Sequence, residues 1–284
     1  MVKSKNDIVF NCVVYFIIAL VGLVCLVPVL FVISASFTPY SELLKHGGFV
    51  LIPSKITTIA YTEILADGAL YNAMGVTVRL TIVGTACNLI VTMLLAYALS
   101  RHDVPLTGFF MRIIMFCMLF SAGTVPTYLV VRKMGLIDTF WAMIVPGLVS
   151  VYNLVIMKSF FEGLPEELFE AARIDGASET RVLINLVLPL SLPIVMTIGM
   201  YYAVDHWNTY MAAVLYIMDE DLKPLQVILR RLLDKAKNQD DVEFLPNETL
   251  KMAAVCFATA PIIVVYPFIQ KYFVKGTLAG AVKG

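Results

Sequence analysis

The residue types that most often carry chemistry are few and scattered along this sequence of 284 residues. Its three histidines are His46, His102 and His206, and none belongs to an H-E-x-x-H zinc pattern. The sequence contains no G-x-S-x-G nucleophile pattern and no G-x-x-x-x-G-K-[ST] loop that could cradle nucleotide phosphates. We therefore predict that the chain has no catalytic residues, binds no metal and is not an enzyme.

The cysteines are typical of packing residues. No two of them form a C-x-x-C pair, and each lies within an apolar stretch. Because a disulfide framework or a zinc site needs a recognisable spacing of thiols, we expect these side chains to stay reduced and fill space. The five are Cys12, Cys25, Cys87, Cys117 and Cys256.

A cluster of polar and aromatic residues surrounds Asp205 inside an apolar run. A charge at the centre of a bilayer costs roughly 2.5–3.5 kcal/mol, so this carboxylate should face a water-filled cavity or another subunit. Carboxylates and amides bind sugar hydroxyls, and aromatic rings stack on the apolar faces of sugars. Two alternatives stay open, an aromatic belt at the outer interface for this cluster and hydrogen bonds between helices for Asn88 and Asn153. The predicted substrate path comprises Asp205, Trp207, Asn208, Tyr201 and Asn153.

The composition places these residues in a membrane protein. The chain is 60% hydrophobic and 15% charged, with a mean hydropathy of +0.84. Soluble domains average about 45–50% apolar residues and about 25% charged residues. A soluble globule this apolar would expose large hydrophobic patches and aggregate. Basic and acidic residues both number 21, so no basic surface is left over for a nucleic acid.

Six apolar runs are long enough to cross a bilayer, which takes about 20 residues in a helix. In lipid each should be helical, because an unpaired backbone polar group finds no water there. The first run is too long for a signal-peptide core of about 7–15 residues, so we expect a retained helix, with a kink at Pro28. The runs cover about 8–33, 72–99, 108–131, 139–157, 191–217 and 252–273.

The charged loops do not reveal which side of the membrane each faces. Six spans place both termini on one side. Of the 21 basic residues, ten then fall on that side and 21 − 10 = 11 on the other. The positive-inside rule therefore does not set the orientation.

The longest hydrophilic stretch between the middle runs, residues 159–189, is predicted to fold as two short helices around a glycine turn. Pro165 suits the first helical position, and Glu166 and Glu167 favour the positive end of the helix dipole. Gly176 suits the left-handed residue that ends a helix, and Ser178 can cap the next helix. By spacing alone, an ordinary helical hairpin is the favoured interpretation.

The full string within this stretch is more specific. Glu170-Ala171-Ala172, then Gly176, then Leu186-Val187-Leu188-Pro189 resembles the signature Glu-Ala-Ala-x3-Gly-x9-Ile-x-Leu-Pro of bacterial ABC importer permeases. The match runs position for position, except that Leu186 stands where isoleucine is usual. The C-terminal residues 271–284 look like the tail of the carbohydrate-specific, maltose-type permeases. Residues 247–253 and 266–268 look like the branch near complex-polysaccharide importers.

The resemblance implies an all-α, polytopic fold of the type I ABC importer permease, with one transmembrane domain over residues 1–284 and six transmembrane helices. It implies that residues 159–189 are cytoplasmic and couple the chain to an ATPase, and that both termini are cytoplasmic in a bacterial cell membrane. The coupling residues carried over are Glu170, Ala171, Ala172, Asp175, Gly176, Leu188 and Pro189.

The implied partners are a second homologous permease chain, two ATPase subunits, an extracytoplasmic binding protein, a carbohydrate substrate and membrane lipid. ATP and Mg would be held by the ATPase, and this chain would need no cofactor. We expect the chain to move a sugar, oligosaccharide or polysaccharide fragment by alternating access. Two alternatives remain, an importer of a non-sugar solute and a non-transporting six-span scaffold.

One further segment has two interpretations. A helix beginning after Pro224 would place Leu225, Ile228 and Leu229 on one face, with Arg230 and Arg231 elsewhere. Such a helix could lie on the membrane surface or under a docked partner. It could equally be a small buried cap on the outer mouth.

Overall fold

The computed structural model describes residues 5–66, 68–101, 103–235 and 248–281. The chain is all-helical over these residues, and they contain no strand. The α-helices are α1 (Lys5–Ser36), α2 (Tyr40–Lys45), α3 (Ile59–Ala66), α4 (Ala69–Ser100), α5 (Thr107–Leu119), α6 (Thr124–Lys133), α7 (Val151–Glu162), α8 (Glu166–Ile174), α9 (Glu179–Val182), α10 (Leu188–Leu190), α11 (Leu192–Trp207), α12 (Met211–Tyr216), α13 (Leu225–Lys235) and α14 (Glu248–Ala281). Short 3-10 turns occupy Phe140–Met143, Val145–Gly147 and Glu220–Leu222, and a π-helical turn occupies Leu183–Val187.

Three helical stretches are long and apolar enough to cross a membrane unbroken, namely Phe10–Ser36, Ala69–Ser100 and Glu248–Val265. Three further pairs of helices meet the same criterion together but are bent at a short break. The described residues therefore supply three spans, or up to six if each bent pair counts as one. Pro28 lies inside the unbroken α1.

The third apolar run is not the continuous helix that its composition predicts. Helix α5 ends at Leu119, α6 begins at Thr124, and their axes differ by 119°. Gly123 adopts a left-handed φ of +83° between them, and its carbonyl accepts a hydrogen bond of 2.8 Å from Thr127 Oγ1. Irregular backbone at this depth is tolerated only where protein or a water-filled cavity satisfies it.

The fourth run is broken too, and the fifth begins at a sharp bend and is interrupted between α11 and α12. The 3-10 turns of residues 140–147 meet α7 at 54°, and the helical stretch Glu179–Leu190 meets α11 at 85°. Proline explains part of this, because Pro146 and Pro189 have no amide hydrogen to donate to the preceding turn. The wide π turn Leu183–Val187 directly precedes Pro189, as expected where the α-helical ladder is locally disturbed.

The described residues divide into two compact units, one within 1–71 and 229–261 and the other within 72–228 and 262–284. In the first, Ala35, Leu43 and Val50 form a small buried cluster, and the rings of Phe31 and Phe49 stack at 5.0 Å. The buried Thr249 hydroxyl donates to the carbonyl of Thr38 at 3.0 Å. This bond joins the start of α14 to the second residue after the end of α1.

The second unit contains the larger cores. One buried cluster joins the end of α4 to α7, α8 and α11, and another joins the middle of α4 to the loop 140–144 and α12. Helices α4 and α11 approach closely at two glycines. A Cβ built on Gly84 would lie 2.5 Å from His206 Nε2, and one on Gly199 would lie 3.0 Å from Leu89 Cδ1. Small residues allow such close helix packing within a membrane.

Gly84→Ala is therefore expected to destabilise the chain. Overpacking a tight contact costs about 1–3 kcal/mol, and here the added methyl group meets the imidazole of buried His206. Thermal unfolding of the purified protein in detergent should show a lower Tm. Gly75→Ala is the matched control, because a Cβ at this exposed position of the same helix meets nothing within 4 Å. Equal melting temperatures for the two variants would contradict the close contact.

The loops around residues 138 and 219 are joined by a carboxylate cap. Asp138, at a left-handed φ of +61°, accepts hydrogen bonds of 2.8 Å from the backbone N–H groups of Asp219 and Met218. These donors hold the pKa of Asp138 below its ordinary value, with the Asp219 N–H contributing most.

In α13, Leu225 and Val227 are buried and Arg230 is exposed. The first turn of this helix thus packs against the chain, as the cap interpretation requires.

Candidate functional site

Residues 159–189 fold as the two short helices and glycine turn that the sequence predicts. Gly176 has a φ of +73°, which confirms the left-handed conformation expected at the end of α8. Two local details differ from prediction. Pro165 is the residue before the helix rather than its first residue, because its ψ of 130° is extended. Ser178 does precede α9, but its side chain accepts no capping hydrogen bond.

Helix α8 has a buried face and an exposed face. Phe169 is only 4% exposed and packs in the core shared by α4, α7 and α11, and Ala172 packs against the same cluster. Since successive helical residues are about 100° apart, Glu170, Ala171 and Ile174 lie on the other side. All three are exposed, and Ile174 reaches 86%. Within the Glu-Ala-Ala string, Glu170 and Ala171 are therefore on the exposed surface of this chain, whereas Ala172 packs against its core.

The other predicted loop residues are also accessible. Asp175 and Gly176 are exposed at the turn, and a Cβ on Gly176 would meet nothing within 4 Å in this chain. Pro189 is exposed and Leu188 is half-buried. The surface formed by Glu170, Ala171, Ile174, Asp175 and Gly176, called the α8 surface below, therefore combines carboxylates with apolar groups.

A buried arginine fixes α8 to the end of α4. Arg101, which is 6% exposed, donates from Nη2 to Glu166 Oε1 at 3.0 Å. Its guanidinium carbon lies 4.0 Å from the ring centroid of Phe169, within cation–π range. The cation thereby contacts a charged and an aromatic residue of the same helix.

Further ion pairs extend this attachment. Arg173 of α8 binds Asp103, and its Nε lies 3.7 Å from Glu179 Oε1. The Tyr97 hydroxyl donates to the same Glu179 carboxylate. The sequence interpretation missed this network. Its one local signal is the basic residue that follows the second predicted span. Three of the contacts join residues 65 to 82 positions apart, which local sequence patterns do not reveal.

A cavity of about 350 Å³ lies at the other predicted site. It brings together Asp205, Tyr201 and Asn153, three of the five residues predicted for the substrate path. The remaining lining residues are Gly147, Ser150, Tyr152 and Tyr202. We call this the Asp205 cavity.

Trp207 and Asn208, the other two residues predicted for the substrate path, are not among the residues that line this cavity. Trp207 lies about 200° around α11 from Asp205 and is buried, and its carbonyl accepts from Gln226 Nε2 at 3.4 Å. Asn208 follows the last residue of the helix, and its side-chain amide donates back to the Val204 carbonyl at 2.8 Å. The Trp207 backbone and the Asn208 side-chain amide thus bond within the chain, whereas the buried Trp207 indole N–H has no hydrogen-bond partner among the described residues.

One tyrosine holds the cavity walls together. The Tyr202 hydroxyl is 2.7 Å from Thr92 Oγ1 of α4 and accepts a 3.0 Å hydrogen bond from the Ser150 backbone N–H. Nearby, Asn88 of α4 donates to the Gly147 carbonyl at 3.1 Å, which confirms the interhelical role considered for it. The Ser150 hydroxyl also lines the cavity and accepts a 3.4 Å bond from the Asn153 backbone N–H. The other polar side chains that can meet a ligand are Asp205, Asn153, Tyr152 and Tyr201.

Broken membrane helices, an exposed helical loop and a polar cavity together define a membrane transport component. Residues 88–278 match the family described as "Binding-protein-dependent transport system inner membrane component". The chain belongs to this family and is a membrane permease of such a system.

Two similar proteins are named as permeases of saccharide transport systems. The polygalacturonan/rhamnogalacturonan transport system permease protein YtcP of Bacillus subtilis (strain 168) is 41% identical, over 99% of this chain and 100% of that protein. The arabinooligosaccharides transport system permease protein AraQ of Halalkalibacterium halodurans is 27% identical, over 99% of this chain and 100% of that protein. One chain in the crystal structure of a bacterial ABC transporter involved in import of the acidic polysaccharide alginate is 29% identical. It has a TM-score of 0.88 and matches over 96% of this chain and 99% of that one.

Proposed function

We propose that this chain is the permease subunit of an ATP-driven ABC importer that carries a saccharide into the cell. The observation that carries the proposal is the α8 surface, an exposed mixture of carboxylates and apolar groups on a helix anchored by Arg101 and Phe169. A rigid helix with such a surface suits docking against another protein. The names of the similar permeases support a carbohydrate as the substrate.

The partner on the α8 surface is an ATPase subunit. ATP and Mg bind to this ATPase subunit, because the present sequence has no phosphate-binding loop of its own. A second, homologous permease chain completes the pathway, and an extracytoplasmic binding protein delivers the saccharide. The α8 loop and both termini are then cytoplasmic, with six spans between the termini.

The residues of this chain suggest how ATP hydrolysis moves the substrate site. Closure of the ATPase dimer would shift α8, and the Arg101–Glu166 pair would carry that displacement to the end of α4. Helix α4 also contacts the Asp205 cavity, through Thr92 and Asn88. Motion at the α8 surface would thus reach the cavity as a rigid-body change and expose it to alternate sides of the membrane.

Uptake by the assembled complex tests the proposal. Proteoliposomes containing both permeases and the ATPase should accumulate a labelled saccharide from a panel only with ATP and loaded binding protein. The panel should include amino acids and peptides, so that an importer of another solute is recognised. Hydrolysis that does not respond to binding protein, with no uptake of any solute, would indicate a scaffold and contradict the proposal.

Asp205→Ala is expected to reduce saccharide uptake about tenfold or more, because hydrogen bonds to a charged group contribute roughly 1.5–3 kcal/mol. The ATPase should still copurify, since Asp205 lies in the cavity and not in the α8 loop. Initial uptake rates and the ATPase:permease ratio measure the two effects. Asp234→Ala is the matched control, because it removes a partly exposed carboxylate that pairs with exposed Arg230 and does not line the cavity. Normal uptake by Asp205→Ala would remove the cavity from the pathway.

A further inference from the structure

We infer that the Asp205 cavity selects for uncharged saccharides and admits uronate-bearing ones poorly. The inference rests on the proposed function and narrows its substrate class. It differs from the substrate that the names of similar proteins would suggest for this chain. One similar permease is named for a polygalacturonan, and one similar structure for the acidic polysaccharide alginate.

The charge of the cavity lining carries the inference. Among the residues that line the cavity, Asp205 is the one charged side chain, and neither lysine nor arginine is present. The neighbouring His206 does not supply a cation to the cavity, because its buried imidazole packs against Gly84 on α4. A uronate carboxylate entering the cavity would therefore meet the Asp205 carboxylate, and this chain places no cation in the lining to balance it.

The hydrogen-bonding capacity of the lining points the same way. A carboxylate only accepts hydrogen bonds, so Asp205 needs a donor from the ligand. A sugar hydroxyl can donate, whereas an ionised uronate group cannot. Asn153 is buried and its side chain makes no hydrogen bond within the described chain, so its amide can both donate to and accept from a hydroxyl.

Aromatic groups complete a surface suited to a neutral ring. Tyr152 and Tyr201 line the cavity beside Asp205, where their faces can cover the apolar side of a pyranose or furanose. Aromatic faces carry negative charge density, so they too disfavour an anionic group stacked over them. The charge of Asp205, the hydrogen-bonding groups of the lining and the tyrosine rings thus all favour a polyhydroxylated, uncharged ligand.

The experiment compares two forms of one saccharide, which carry either a neutral group or a carboxylate at the same carbon. The saccharide that the wild-type complex takes up is paired with its matched form, either oxidised at C6 to the uronate or, if it is a uronate, methyl-esterified. Both forms are presented to proteoliposomes at concentrations that saturate the same binding protein. We expect the wild-type complex to carry the neutral form about tenfold faster, the scale of one like-charge contact in a partly aqueous site.

Variants of one residue assign this preference to the cavity. Asp205→Asn keeps a polar group of the same size, and it should bring the neutral-to-acidic rate ratio within about twofold of unity by raising uptake of the acidic form. Asp234→Asn, which removes a partly exposed carboxylate outside the cavity, should keep the wild-type ratio. Because binding protein and partner subunits are constant, a change in this ratio reports on the cavity.

Two results would overturn the inference while leaving the proposed function standing. One is a wild-type complex that carries the free acid as fast as the neutral form. The other is a ratio that Asp205→Asn leaves unchanged. Failure of the proposed function looks different, since no saccharide of either charge would then be taken up.

Discussion

Gly176→Val is expected to uncouple the permease from its ATPase without preventing membrane insertion. Gly176 has a φ of +73°, a conformation that costs a residue with a Cβ roughly 1–2 kcal/mol. Valine would tilt α8 relative to α9 and displace the α8 surface. The ATPase:permease ratio after detergent extraction should fall severalfold, or hydrolysis should cease to respond to binding protein loaded with saccharide.

Asparagine at the same position separates two causes of this loss. Asn tolerates the left-handed region better than other residues with a Cβ, and a Cβ on Gly176 meets nothing in this chain. If only backbone strain matters, Gly176→Asn should retain most of the ATPase. If the docked ATPase lies against the Gly176 Cα, both variants should lose it. Wild-type copurification and stimulation with Gly176→Val would show that the turn does not couple the chains.

Arg101→Ala is expected to have the second large effect, on coupling rather than on docking alone. The change leaves Glu166 without its buried partner and removes the cation from the Phe169 ring. Breaking a buried ion pair costs about 3–5 kcal/mol, but the Glu166 side chain is 52% exposed, so solvent reduces that penalty. We expect ATP hydrolysis to continue while the number of saccharides imported per ATP falls about tenfold.

Two control variants identify what Arg101 contributes. Arg101→Met preserves most of the buried volume but not the charge, and it should restore thermal stability without restoring the saccharide:ATP ratio. Arg230→Ala removes an exposed arginine from a pair with Asp234 and should affect neither quantity. A normal saccharide:ATP ratio in Arg101→Ala would mean that α8 transmits its movement to the membrane by another contact.

The local chemistry of the α8 loop was predictable because short-range rules fix it. A glycine after an alanine-rich helix predicts a left-handed turn, and the structure has that turn. Which alanine of the Glu-Ala-Ala string faces outward was not predictable. Ala171 is exposed and Ala172 packs inward, because Phe169 sets the buried side of α8 and its pocket is built by distant helices.

The Asp205 cavity was predictable only in part. Tyr201 and Asp205 are one helical turn apart, so their shared face follows from periodicity. Trp207 and Asn208 are close in sequence but lie elsewhere, because α11 ends at Trp207 and the amide of Asn208 turns back to Val204. Residues that are neighbours in the sequence therefore do not all line the same cavity. Gly147 and Ser150 line it because the chain breaks between two helical segments there, and a hydropathy profile does not predict that break.

The sequence by itself determined that this is a helical membrane protein, that a helix–glycine–helix loop separates two of its apolar runs, and that this loop carries the Glu-Ala-Ala string. These features depend on composition and on contacts within a few residues. Only the tertiary structure decided which runs are bent, which face of α8 is free and which side chains meet at the cavity. Arg101 contacts Glu166 across 65 positions, and the backbone breaks persist where folded neighbours or a cavity can satisfy their polar groups.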